Sequence, residues 1–354
     1  MKAFGFLSFG HYGHGRGPGD PDAGQALKDA VEIAVGADEI GVNGAYWRVH
    51  HFARQAASPF PLLAAAGART SRIEVGTGVI DMRYENPLYM AEEVAALDLL
   101  TDQRIAIGIS RGSPEQAKRG WEAFGYTGTK DPRGADIARA HAARFLEAVR
   151  GIPQAELDPR NGVIPGEPLR LRVEPHSPGV DRRLWWGAAT RETAEWTARQ
   201  GLNLMSSTLL TEVTGKSFSD LQAEQIQRYR EAWKQAGHDW SPRVSVSRSI
   251  FPIVSQADEQ LFALRAGDDQ DHYGIIDGLH STFGRTYAAE PDVLIEELSK
   301  DEAIKAADTL MLTIPSQLGV DYNVHVLQAF AEHVAPALGW KPNTEGPVTG
   351  YPVD

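Results

Sequence analysis

The segment IEVGTGVIDMRYENPLYMAEEVAALDLLTDQRIAIGISRG, residues 73–112, decides the fold. Ile73 to Ile80 is short, β-branched and apolar on both faces, the pattern of a parallel strand buried on both sides. Asn86-Pro87 then supplies an N-cap and a first-turn proline, so a helix begins there and closes at Thr101-Asp102-Gln103. Arg104 to Ser110 (RIAIGIS) is a second buried strand, with Arg111-Gly112 just past its C-terminal end. Ligands of parallel α/β proteins bind at that end of the strands, and an arginine placed there is a natural anion clamp.

The same alternation extends in both directions. Lys2–Phe9 and Asn43–Val49 precede the segment as strands, separated by a helix over Asp22–Gly41 and followed by an alanine-rich helix over 61–68. Arg183–Ala188, Leu202–Ser206, Val244–Val254 and Thr309–Ile314 follow it as strands, with helices over Arg133–Val149, Thr190–Gln200, Phe218–Ala236, Pro291–Leu298 and Tyr322–Leu338. Eight strands alternating with helices predict one parallel sheet closed into a (β/α)₈ TIM barrel, a single domain over residues 1–354. Irregular excursions are expected near 112–132, 151–180 and 267–290, the second of them as an excursion or hairpin rich in Pro and Gly.

Composition narrows the function. The 354 residues are 42% hydrophobic and 23% charged, an ordinary globular balance. A formal charge of -12 without a Lys/Arg-rich run argues against a nucleic-acid surface. The absence of cysteine excludes disulfides, thiolate metal sites and a cysteine nucleophile. The N-terminal apolar run is too brief for a signal peptide, and no stretch approaches the roughly 18 apolar residues of a membrane span. The expected location is cytoplasmic.

In a barrel the candidate site is the set of residues just beyond the strands. That set includes His11, Trp47 to His51, Asp81-Met82, Arg111, Ala189-Thr190 and Ser206-Ser207, with Asp81 as its carboxylate. Thr190 and Thr193 at a helix N-terminus, beside Arg111 from the neighbouring strand, form an anion site in one reading. In the other, Thr190 is only a helix cap and Arg111 only a surface ion pair. Gly76-Thr77-Gly78-Val79 is unusual inside a buried strand and implies either a close ligand approach or a packing accommodation. Within His50-His51, one histidine suits acid–base work and the other a satisfied core position.

Taken together, MKAFGFLSF at 1–9, AYWRVHHF at 45–52, VGTGVIDMRYENPLYMAEEVAALDLLTDQRIAIGISRG at 75–112, RLWWGAATRETAEWTARQGL at 183–202 and AEHVAPAL at 331–338 resemble the bacterial luciferase-like family of flavin-dependent oxidoreductases. The resemblance implies a flavin monooxygenase that uses reduced FMN and O2 through flavin C4a-peroxide chemistry on a small organic substrate. A separate NAD(P)H:flavin reductase would supply the reduced flavin. It places the catalytic histidine at His50 and the phosphate-gripping arginine at Arg111, with phosphate contacts from Ala189, Thr190 and Thr193. It also places a non-proline cis peptide beneath the flavin ring at Gly78-Val79. Three departures stand out: Val49 replaces the acid before the histidine pair, Ser110 replaces the reactive cysteine, and the loop after strand seven does not align. Light emission from a long-chain aldehyde is therefore not expected.

Trp47, Met82 and Trp186, with His11, are candidate walls of a substrate pocket, although core packing accounts for the aromatic groups equally well. A deazaflavin (F420) hydride-transfer enzyme is the alternative on the same fold. A barrel hydrolase with a metal on His11, His14 and His50 is the alternative of another class, although no metal site is expected. A flavin-binding protein without catalysis is a third. The helix at 87–100, with Tyr89, Met90, Val94, Ala96 and Leu100 around its circumference, and that at 61–68 predict a homodimer interface.

Overall fold

The computed structural model describes residues 3–16, 20–112, 115–158, 160, 169–262, 270–276 and 278–345. In chain order the elements are β1 (Ala3–Ser8), α1 (Ala23–Ile40), β2 (Gly44–Trp47), α2 (Pro59–Arg69), β3 (Glu74–Asp81), α3 (Pro87–Leu100), β4 (Ile105–Ser110), α4 (Ala135–Val149), β5 (Ala155–Glu156) and β6 (Arg170–Leu171). They continue as β7 (Leu184–Ala188), α5 (Arg191–Arg199), β8 (Asn203–Ser206), β9 (Leu209–Leu210), α6 (Phe218–Ala236), β10 (Val244–Pro252) and α7 (Gln256–Phe262). The last are β11 (His272–Ile276), β12 (Leu279–Phe283), β13 (Thr286–Ala289), α8 (Pro291–Lys300), α9 (Glu302–Ala306), β14 (Thr309–Ile314) and α10 (Val320–His333).

Eight strands pair in parallel in the order β10-β14-β1-β2-β3-β4-β7-β8, and β8 returns to β10 through Leu204↔Val244 and Met205↔Ser245 to close the barrel. The predicted N-cap of α3 forms, Asn86 accepting from Leu88 N and Tyr89 N, while Asp22 caps α1 by accepting from Gln25 N and Gly41 ends it at φ 90°. Leu7, Tyr46, Ala106, Trp185, Met205 and Met311 fill the barrel interior, so it is a packed core rather than a pore. At its lower end Glu74, the first residue of β3, accepts from Tyr46 Oη (2.7 Å) and from both terminal nitrogens of Arg243 (2.7 and 3.1 Å). That pair plugs the end away from the ligand side.

Two expectations need correction. The described part of 267–290 is not irregular: β11 and β12 pair antiparallel, β12 pairs with β9, and β13 runs parallel to β10. These strands are short and half-exposed, so the Asp, Gly and His around them masked their alternation. Residues 263–269 and 277 of that excursion lie outside the description, as do 113–114 of the first and 159 and 161–168 of the second. The second excursion carries the β5–β6 hairpin. The helix α3 also has a clearer division of faces than its sequence suggests. Met90 and Val94 are fully buried, while Tyr89, Leu99 and Leu100 are exposed beside Glu92 and Glu93. Asp98 is buried because Arg183 (Nη2–Oδ2 2.6 Å) and Ser177 (2.6 Å) pair with it.

Candidate active site

A cavity of about 350 Å³ opens at the carboxyl ends of the barrel strands. Its size falls in the usual ~300–1,000 Å³ of small-molecule sites. Its floor is made by Leu7, Val79, Met205 and Met311, and its walls by residues from the ends of β2, β4, β7 and β8.

On the floor, the Gly78–Val79 peptide is cis, and the β3–β4 register slips between Thr77 and Ile80. Gly108 of β4 faces that irregularity. A Cβ there would lie 2.3 Å from Thr77 O and 2.9 Å from a Val79 methyl, so only glycine admits this packing. Gly76 is constrained in the same way, since a Cβ there would lie 2.1 Å from Ala106 O, and Gly78 and Val79 both line the cavity.

One wall carries the anion-binding candidates. Arg111 follows β4, and Gly112 turns the chain at φ 87° so closely over Asp81 that a Cβ would lie 2.0 Å from its carboxylate. Ser110 Oγ accepts from Gly112 N (2.7 Å) and steadies that turn. After the neighbouring strand β7, Thr190 caps α5, its Oγ1 accepting from Thr193 N (3.0 Å) and donating to Thr193 Oγ1 (2.8 Å). The cap and the anion-site readings are therefore compatible, since Arg111, Ala189, Thr190 and Thr193 line one cavity. Gln225, fully buried on α6, donates to Ala188 O (3.1 Å) and Thr190 O (3.0 Å) and pins the strand-to-helix turn. Glu212 already accepts from Arg191 N (3.0 Å) at the same helix start.

The other wall carries His50, Arg48 and Glu115. His50 Nδ1 lies 3.2 Å from Glu115 Oε2. Arg48 has its guanidinium over the Phe9 ring at 4.5 Å; burial pulls its pKa down to about 10, against the pull of Glu115. Arg133 and Arg139 add two more cations to the lining and Asp131 one anion, so four arginines face two carboxylates there. Sequence reasoning missed Arg48, Glu115, Arg133 and Arg139. Arg48 lies inside the flagged stretch 47–51, whereas Glu115 had no signal beyond its place in the excursion after strand four.

Other candidates go elsewhere. Trp47 is core, edge-on to Phe6 at 5.7 Å, and Met82 is fully buried with its carbonyl accepting from His141 Nδ1 (2.7 Å). Neither lines the cavity, because their strands point those side chains outward into the helix layer. Trp186 does line it. His11 stacks on Phe9 at 5.3 Å and contacts Gln55 (2.8 Å) outside the lining; burial, then Arg48 and His50, lower its pKa. His14 contacts Arg54 (2.6 Å), so the three histidines of the hydrolase alternative do not converge. Among the described residues no group of three or more His, Asp or Glu is placed to hold a metal ion. Asp81 is occupied by Arg83 (Nε–Oδ1 2.9 Å) and does not line the cavity. His51 stacks on Tyr84 at 4.1 Å, and burial lowers its pKa.

A closed parallel barrel with a cationic, hydroxyl-lined cavity at its carboxyl end and a histidine–carboxylate pair in the wall defines a ligand-binding barrel of the enzyme type. The luciferase-like monooxygenase family model matches residues 4–305, and the chain belongs to that family. The 4-hydroxyprotoasukamycin monooxygenase of Streptomyces nodosus subsp. asukaensis is 34% identical over 109 residues, 30% of this chain and 29% of that protein. The alkanal monooxygenase alpha chain of the Kryptophanaron alfredi symbiont is 24% identical over 246 residues, 66% of this chain and 62% of that one. The chain thus aligns with under two thirds of either relative's length. The FMN complex of the oxygenating constituent of 3,6-diketocamphane monooxygenase, a type II Baeyer-Villiger enzyme from Pseudomonas putida, shares the fold with TM-score 0.69 at 15% identity. It covers 95% of this chain and 98% of that one. An F420-dependent secondary alcohol dehydrogenase bound to an F420-acetone adduct has TM-score 0.61 at 18% identity over 96% and 99% of the two chains. Among the described residues no helix is long and apolar enough to cross a membrane.

Proposed function

We propose that the protein is a flavin-dependent monooxygenase that takes reduced FMN from a separate NAD(P)H:flavin reductase and oxygenates a small organic substrate. The observation that carries this reading is the convergence of Arg111, Thr190 and Thr193 with the Gly78-Val79 floor and His50 in one cavity. The donor set suits a phosphorylated isoalloxazine: a guanidinium and two hydroxyls at a helix N-terminus for the phosphate, and apolar Leu7, Val79 and Met311 for a flat ring. Bound reduced flavin would supply two electrons to O2, so that one oxygen atom enters the substrate and the other leaves as water. Arg111 and the two threonines would anchor the phosphate, Val79 and Trp186 would keep water from the ring, and His50 would hold or release a proton beside it.

Fluorescence titration of the purified protein tests the cofactor, with F420 measured in parallel because an F420 enzyme shares the fold. Binding of FMN or reduced FMN at tens of micromolar or better is expected, and failure at that concentration removes the proposal. Preference for F420 would transfer the site to hydride-transfer chemistry. Replacing Arg111 by methionine should weaken FMN binding about ten- to a hundredfold, the worth of one charge-assisted contact to phosphate. Riboflavin, which lacks the phosphate, should bind both forms alike. Limonene, the substrate named for a relative from Rhodococcus erythropolis that is 32% identical over 111 residues, is a reasonable first member of a substrate panel.

The proposed assembly is a homodimer through α2 and α3. The exposed Tyr89, Leu99 and Leu100 support it, as does the small-residue face of α2 at Ala65 and Ala68. Light scattering at micromolar concentration should give twice the mass of one chain, and Leu100→Glu should halve it. A single-chain mass for the unsubstituted protein would rule this interface out.

A further inference from the structure

The residue before His50 is the apolar Val49, so the local chain brings no carboxylate to the histidine. The fold brings one from elsewhere. Glu115, 65 residues further along and beyond the end of β4, places Oε2 3.2 Å from His50 Nδ1. Its side chain is 3% exposed and that of His50 13%, so little water screens the contact. A carboxylate only accepts hydrogen bonds, hence the ring proton sits on Nδ1 and Nε2 is left to exchange protons with whatever occupies the cavity. The other titratable groups felt around this pair are Arg48, His11 and His51, with Asp81, Arg83 and Tyr84 behind Glu115. The Arg48 cation opposes a protonated His50, and the Glu115 anion favours it.

We infer that Glu115 is the positioning residue for His50, fixing its Nδ1–H tautomer and offsetting the charge of Arg48 so that Nε2 can take and return a proton during turnover. The inference rests on the proposed acid–base role of His50, but its test reads the imidazole directly. Nitrogen-15 NMR of the histidines in flavin-free protein, with His50 assigned from the missing signal of His50→Asn, should show the Nδ1–H form. Glu115→Gln should populate the Nε2–H form, because an amide can donate to Nδ1 where a carboxylate only accepts. Glu115→Asp should restore the Nδ1–H form. With flavin and substrate, Glu115→Gln should lower kcat and leave FMN affinity within about twofold. An unchanged tautomer in a folded Glu115→Gln protein would overturn the inference. An altered imidazole in a protein that binds no flavin would instead remove the monooxygenase reading and leave the pairing standing.

Discussion

Replacing His50 by alanine is expected to lower product formation by about 10²- to 10⁴-fold, the usual worth of a positioned acid–base group. FMN affinity should stay within about twofold, because the phosphate candidates Arg111, Thr190 and Thr193 follow other strands, β4 and β7, whereas His50 follows β2. The measurement is product formed per reduced flavin in single turnovers with the substrate that the panel identifies. Oxygen should still be consumed, with more of it released as hydrogen peroxide. Equal product yield in the two proteins would remove His50 from the chemistry. Loss of flavin binding together with product would instead mark it as part of the cofactor site. The same measurement separates an enzyme from a flavin carrier, since a carrier forms no product with His50 intact.

Replacing Asp301 by alanine is expected to destabilise the fold by about 3–5 kcal/mol, the cost of leaving a buried guanidinium without its carboxylate. Asp301 accepts from Arg248 Nε (2.8 Å) and Nη2 (3.0 Å), Tyr287 Oη (3.0 Å) and Ser219 Oγ (2.7 Å), and it caps α9 through Ala303 N and Ile304 N. Neither side chain of the ion pair is more than 2% exposed. Arg248 in turn donates to Gln222 (2.7 Å), which donates to Ser206 Oγ (2.8 Å) in the cavity wall. Denaturant unfolding should therefore lose stability, and the wall at Ser206 should loosen with it. A loss below about 1 kcal/mol would contradict the account.

The pH dependence follows with a definite sign. Burial alone would raise the Asp301 pKa, but the Arg248 charge and the hydrogen bonds outweigh it and hold the carboxyl at about 2. A pKa lower in the folded than in the unfolded chain adds stability that is fully present above roughly pH 4. That contribution, on the order of 2 kcal/mol, is lost as pH falls through about 2. Asp301→Ala should flatten this part of the acid-unfolding curve.

The eight barrel strands, their order and the N-cap of α3 were legible in the chain, because each depends on residues within one element or one turn of it. Arg104–Ser110 is apolar on both faces wherever it is placed, and Asn86-Pro87 starts a helix in any context. The phosphate-side candidates were legible too, since a residue that follows a barrel strand must lie at the cavity end. Short, half-exposed strands such as β11 and β12 were not, because a few alternating residues among Asp, Gly and His carry little periodic signal.

Which side of the wall each residue faces was beyond local pattern. Trp47, Met82 and Trp186 all sit at strand ends and are buried in the layer between barrel and helices, where Trp186 packs edge-on to Trp196 at 4.7 Å, yet of the three Trp186 also borders the cavity. Asp81 looked like the site's carboxylate, but Arg83 occupies it two residues on. The sequence by itself determined a parallel eightfold barrel with Arg111, Thr190 and Thr193 at one end. Only the tertiary structure decided that Glu115, and no residue beside it in the chain, meets His50. A contact across 65 residues depends on where two loops land after the barrel has closed, and no local periodicity encodes that.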